Sequence, residues 1–275
     1  MSELNDLLVA MIKKDYEPEG YEKALMEQYE ELLIQKEQML KDAASYQIAY
    51  YREYGEMITA VFELKVECIK KKKTISYCRR RMNRGLEVDV RRMESEVEQE
   101  MQGYYSRLKD LIRERERAEN AQSVSEFLLL RAKKIYRRLA KVLHPDINPN
   151  TMEHTRLRDL WEQITAAYHH TDVERMEELE FLVRMAMEEL GEESFEPDMD
   201  GLEEKIERVE REINEIVTSE PYTYKNLLLD PDSREGFRDQ LQAEHDDYEM
   251  YLESLTKTLE EMLRDGGAKV VWKTS

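Results

Sequence analysis

The sequence has 275 residues, of which 42 are Lys or Arg and 61 are Asp or Glu, a formal charge of −19 at pH 7. Charged residues fill 37% of the chain while Gly and Pro number only 9 and 6, a profile that favours long solvated helices over sheets. Such a charge keeps the molecule soluble and, taken as a whole, repels nucleic acid and anionic membranes.

Leu4, Leu7, Leu8, Met11 and Ile12 share one helix face, so residues 1–20 are expected to open with a short amphipathic helix that docks within the chain. The apolar run 7–12 is far too short to span a membrane and follows Glu3 and Asp6 rather than a basic segment. A cytoplasmic protein without a signal sequence or membrane contact is the expectation. Pro18 and Gly20 close the segment.

Residues 21–122 read as a long helical arm. No proline falls between Tyr21 and Asn120, and apolar residues recur every three or four positions: Leu25, Tyr29, Leu32, Met39, Ala43, Tyr46, Tyr50, Met57, Val61, Leu64 and Cys68, then Ile75, Cys78, Met82, Leu86, Val90, Met93, Val97, Tyr104, Leu108 and Leu111. This is coiled-coil-like spacing, with Gly55, Gly85 and Gly103 as candidate bends. At about 1.5 Å of rise per residue, such an arm must either fold back or project. An intramolecular hairpin and a homodimer satisfy the same stripes. Cys68 and Cys78 form no CxxC and have no second pair, which argues against a disulfide framework or a zinc site and for a reducing compartment.

Within the arm, residues 65–92 hold eleven basic and three acidic side chains, including Lys70 to Lys73 and Arg79 to Arg81. Clustered cations can neutralise phosphates, but the only interleaved aromatic is Tyr77. A solvated face, or a partner for the chain's own acidic segments, is the preferred reading over nucleic acid.

Residues 123–190 form the central segment. Leu128, Ala132, Ile135, Leu139 and Val142 trace one helix face; Lys134, Arg137, Arg138 and Lys141 trace another, and residues 131–141 hold six cations and no acid. A positive stripe in a negative protein points to a docking surface for an acidic partner. Pro145 ends this helix. Asn150, with Glu153 three residues on, can cap the next one, whose stripe is Leu157, Leu160, Trp161, Ile164 and Tyr168. Two such helices would pack antiparallel and place residues 144–146 at the tip.

Tyr136-Arg137-Arg138-Leu139-Ala140, three further residues, then His144-Pro145-Asp146 resembles helix II and the HPD signature of J domains. Asn148-Pro149 suits the family's loop, and Trp161, Ile164, Ala167 and Tyr168 match its helix III pattern. The likeness covers roughly residues 125–185. It departs in having no recognisable helix I, Leu143 where an aromatic residue usually stands, Lys141 displaced by one position and a longer loop; a helix of the arm would have to replace helix I.

The resemblance implies a co-chaperone or adaptor that engages a DnaK-type heat-shock chaperone and stimulates its ATPase. It assigns His144, Pro145 and Asp146 as the trigger, Lys133, Tyr136, Arg137 and Arg138 as helix II contacts, and Asn148 as a lesser contact. The flanking helices would choose a client or location. The residues by themselves also allow a structural coiled-coil scaffold, or a nucleic-acid-associated protein using residues 65–92. No nucleophile constellation, P-loop or dinucleotide loop is present, His154 and His169-His170 lack ligand geometry, and neither enzyme activity, cofactor nor metal is expected.

Residues 172–220 carry nineteen acids against five bases, and 191–201 (GEESFEPDMDG) read as a linker. Leu202, Ile206, Val209, Ile213 and Ile216 form one further stripe; Leu241, Tyr248, Tyr251 or Leu252, Leu255, Leu259 and Met262 form another. An antiparallel hairpin over 202–265 would bury both, leaving 266–275 as a loose tail. The expected fold is all-α: long coiled-coil-like helices, a central J-like hairpin and a C-terminal hairpin.

Overall fold

A computed structural model describes residues 18–121, 125–190, 201–265 and 270–271. The expected N-terminal helix and the linker 191–200 lie outside these residues. The described chain is all-α apart from one pair of two-residue strands. In order the elements are α1 (Pro18–Met82), β1 (Val88–Asp89), α2 (Val90–Asn120), α3 (Glu126–Leu143), α4 (Asn150–Glu153), α5 (Thr155–His170), α6 (Val173–Leu190), α7 (Leu202–Thr218), α8 (Tyr224–Leu229), α9 (Pro231–Asp265) and β2 (Val270–Val271). Among the described residues no helix is long and apolar enough to cross a membrane.

The chain divides into two units, Met1–Ala44 with Gln122–Thr223 and Ser45–Ala121 with Tyr224–Ser275. Helix α1 runs unbroken through the division and supplies a wall to each. With no internal proline and a proline at its first residue, nothing in its 65 residues interrupts the hydrogen-bond ladder.

In the first unit, α3, α5 and α6 enclose a core of Ala132, Ile135, Tyr136, Leu139, Leu143, Leu157, Leu160, Ile164, Tyr168, Met176, Leu179 and Val183, which Ile34 of α1 joins. Ser125 caps α3 by accepting from the Leu128 amide, and Asp172 caps α6 by accepting from the Arg175 amide at 3.0 Å. Thr171 takes the left-handed conformation that ends α5. A second cluster joins Met26, Tyr29 and Leu33 of α1 to Leu202, Ile206 and Val209 of α7, with Ile147 between them.

In the second unit, α2 folds back on α1. Val66 packs on Val97 and Met101, Arg52 donates to the Ala118 carbonyl at 3.0 Å, and Cys78 meets Met93. Helix α9 runs along α1 in the same direction: Arg234 reaches Glu53, the Cys68 thiol donates to the Tyr248 carbonyl, and Lys71 donates to Thr256. Part of the arm's apolar stripe, Cys78 and Val97 among it, is thus buried within the chain.

Three sequence expectations change and one open choice is resolved. The stripes of α7 and α9 bury on different stretches of α1, in different units, rather than on each other as one C-terminal hairpin; α1 offers each a long apolar face already in place. Leu252, not Tyr251, takes the inward position, Tyr251 being 41% exposed. Part of the supposed tail pairs instead, Val270–Val271 running parallel to Val88–Asp89. Finally, only Gly85 is a bend, with φ of 65° in the turn after α1; Gly55 and Gly103 sit inside unbroken helices.

Gly55 serves close approach, since a Cβ there would stand 3.0 Å from Cγ and 3.3 Å from Cβ of Arg115, whereas one at Gly103 would meet nothing within 4 Å. Gly55→Val should therefore destabilise the protein by about 1–3 kcal/mol through displacement of α2. Gly103→Ala should stabilise it by about 0.5–1 kcal/mol through helix propensity. Urea unfolding of the two variants measures both.

Candidate functional site

Residues 144–146 fall where the sequence places them, at the turn that follows the basic helix. Pro145 cannot continue α3, so His144 becomes its C-cap, with its amide still donating to the Ala140 carbonyl at 2.9 Å. The turn then closes on itself. The His144 carbonyl accepts from the amides of Ile147 at 2.9 Å and Asn148 at 2.8 Å, and the Asp146 amide donates to His144 Nδ1 at 3.2 Å. This last bond requires an unprotonated Nδ1.

The His144 ring is half-buried and meets Trp161 of α5 edge-on, ring centres 5.1 Å apart. Burial pushes its pKa from 6.5 down to about 4, with the nearby Lys36 charge acting the same way and Asp146 opposing both. Asp146 is exposed, and its carboxylate faces the Arg208 guanidinium of α7 at 3.7 Å. Beneath them lies the buried hydroxyl of Tyr29, whose pKa burial and the Asp146 charge raise to about 12.

Two residues carried over from the resemblance prove to be structural. Tyr136 is 1% exposed and stacks on Tyr168 with ring centres 4.1 Å apart, so it is core rather than contact. Asn148 is 2% exposed; its amide donates to the Val142 carbonyl at 3.2 Å and its oxygen accepts from the Asn150 amide at 3.2 Å. It therefore pins the loop before α4, and the helix foreseen from residue 150 is broken at His154 into α4 and α5.

Of the basic stripe on α3, Lys133, Arg137 and Arg138 are exposed as expected. Most of its cations are already matched. Arg131 pairs with Glu177 and Arg138 forks onto Glu180 of α6 at 2.7 and 2.9 Å. Arg137 pairs with Glu31, and Lys141 with Glu30 at 2.6 Å, both acids on α1. Lys133 and Lys134 have no ion pair among the described residues.

Sequence reasoning missed Glu30, Glu31 and Arg208, all distant in the chain, and Lys41. The last is 6% exposed and donates to the Tyr168 carbonyl at 2.6 Å while lying over the Tyr168 ring at 4.1 Å. Burial lowers its pKa to about 8. Nothing in the sequence names their partners.

The constellation contains no nucleophile paired with a base. It offers a hydrogen-bonded turn, an exposed carboxylate at Asp146 and a ridge of cations. Elsewhere, His245, Asp246 and Glu249 of α9 bring ligand atoms within 4.8 Å of one another, with both carboxylates exposed on a single helix. No known protein family, curated protein or solved structure matches the chain.

The neutral, buried imidazole makes stability depend on pH. Its folded pKa lies below the unfolded value, so between pH 6.5 and about 4 the unfolded chain binds a proton that the folded one refuses, and stability falls as pH drops through that window. Acidification from pH 7 to 5 should cost on the order of 1–2 kcal/mol through this group. Urea titrations at both pH values check this, and His144→Gln should flatten the difference.

Proposed function

We propose that the first unit is a J-like co-chaperone module that engages a DnaK-type heat-shock chaperone and stimulates its ATPase. The observation that carries this reading is the turn His144-Pro145-Asp146 held between a basic helix and an antiparallel apolar one, with His144 locked against Trp161. The missing helix I is supplied by α1, whose Ile34 packs into the α3–α5 core and whose Gln38 accepts from the Tyr168 hydroxyl at 2.8 Å.

On this reading Pro145 sets the turn and Asp146 presents its carboxylate to a partner arginine, displacing Arg208. Lys133 and Lys134 steer an acidic surface into place, and Arg137 and Arg138 exchange Glu31 and Glu180 for acids of the partner. The exchange costs little, because exposed ion pairs contribute only about 0–1 kcal/mol each. The nucleotide is held and hydrolysed on the chaperone. The second unit would address a client, and a cytoplasmic setting agrees with free, buried Cys68 and Cys78.

A structural scaffold is the second reading. It is favoured by the ion pairs themselves, which give the stripe on α3 a role inside the fold.

Single-turnover ATP hydrolysis by a DnaK-type chaperone separates the two. Stimulation by the wild-type chain should fall about tenfold or more in Asp146→Asn, with an unchanged unfolding midpoint because Asp146 is exposed. Charge reversal at Lys133 should weaken the stimulation and its salt dependence together. Stimulation indifferent to Asp146→Asn would sink the co-chaperone reading, and a folded wild-type chain that does not stimulate would leave the scaffold.

A further inference from the structure

We propose that the apex of the α1–α2 hairpin is a docking surface for an anionic lipid membrane. The apex spans residues 79–92 and holds six arginines, Arg79, Arg80, Arg81, Arg84, Arg91 and Arg92, against two acids, Glu87 and Asp89. All but Arg81 of these arginines are exposed. Arg79 and Arg84 have no ion pair among the described residues, and Arg80 reaches over the Tyr77 ring. Asp89 is turned inward to the helix, its carboxylate accepting from the Arg92 amide at 3.1 Å.

The charge excess is specific to this end of the hairpin. Farther along it two lysines of α1 are answered from α2: Lys73 pairs with Glu100, and Lys70 with Glu98 at 3.7 Å. At the apex one such pair remains, Arg92 with Glu96 at 2.9 Å, and the six arginines still outnumber the two acids. The chain's net charge does not cancel the local field, because at physiological salt charges more than about 8 Å apart in solvent are largely screened from each other.

Two apolar side chains project among these cations, Met82 at 38% and Leu86 at 43% exposure. The turn that presents them is well defined. Gly85 adopts φ of 65°, the Arg84 and Leu86 amides donate to the Arg81 carbonyl, and Arg81 Nε donates to the Glu87 carbonyl at 3.0 Å. Beyond it, β1 pairs with β2.

Cations around a small apolar tip fit a lipid headgroup layer, where phosphates meet the guanidinium groups and the apolar side chains enter the acyl boundary. Nucleic acid would reward the cations but not Met82 and Leu86. It would also call for a stacking platform, and Tyr77 is buried at 4% exposure. The proposal is independent of the chaperone reading, since it uses only the second unit.

The test is flotation of the full chain with phosphatidylglycerol–phosphatidylcholine vesicles, with vesicles of phosphatidylcholine alone beside them. Binding is expected to the anionic vesicles only and to weaken as salt is raised. The triple variant Arg79→Gln, Arg80→Gln, Arg84→Gln should lose about 100-fold in affinity, at about fivefold per surface cation. Met82→Ser with Leu86→Ser should lose about tenfold with the charge intact. Unchanged helical circular dichroism confirms that these exposed substitutions leave the fold in place. No binding to anionic vesicles overturns the proposal, as does binding that the triple variant leaves untouched. Binding to duplex DNA or single-stranded RNA, lost in the triple variant while vesicles are ignored, assigns the surface to nucleic acid instead.

Discussion

Among the described residues, every hydrophobic core cluster is built against one helix. Helix α1 contributes Met26, Tyr29, Leu33 and Ile34 to the cores of the first unit and Val66, Tyr77 and Cys78 to those of the second. A single helix has only one angular stripe to bury when it has one neighbour. Here it has partners on more than one side, α3, α5 and α7 along one stretch and α2 and α9 along another, so burial spreads around its circumference. Gly55 marks where Arg115 of α2 comes close, and Tyr54 fills space against Phe237 of α9 with ring centres 4.9 Å apart. Without the unbroken ladder of α1, neither α7 nor α9 would have a surface on which to bury its stripe.

The same helix governs the electrostatics of the candidate site. Glu30 and Glu31 lie on α1 one face away from Tyr29 and Leu33, so packing the apolar face against the first unit swings the two acids toward α3. The protein thereby holds a ridge of cations at modest net potential. Strong pairing to a partner then depends on exchange of one acid for another. At the turn, His144 remains neutral because solvent is kept from its ring, and the Asp146 amide uses the lone pair that neutrality leaves on Nδ1. The loop's shape and its protonation state are one property.

The two basic regions of the chain are therefore different physical objects, although both are runs of Lys and Arg in sequence. The stripe on α3 lies between two acidic neighbours and is largely neutralised. The apex of the α1–α2 hairpin, where six arginines stand against two acids, keeps a local excess although Arg92 pairs with Glu96. The sequence alone reads the first as a docking surface for an acidic partner and the second as a solvated face or a partner for the chain's own acids.

Much of the fold was legible in the sequence. The absence of proline from Tyr21 to Asn120, the 3.6-residue recurrence of apolar positions and the break at Pro145 determine where helices form, because those signals act within a few residues along the backbone. The antiparallel pair around His144-Pro145-Asp146 was legible for the same reason, its two stripes being joined by one short loop. Residues such as Tyr136 and Asn148 were readable as important but not as buried, since a motif records identity and not solvent. Only the tertiary structure decided which stripe meets which: α7 and α9 choose α1 over each other, Glu30 and Glu31 find Arg137 and Lys141, and Arg208 comes to face Asp146. Those choices join positions tens to hundreds of residues apart, where any apolar stripe can cover any other and any acid can pair with any base. Register and packing, settled by the whole chain at once, are what select among them.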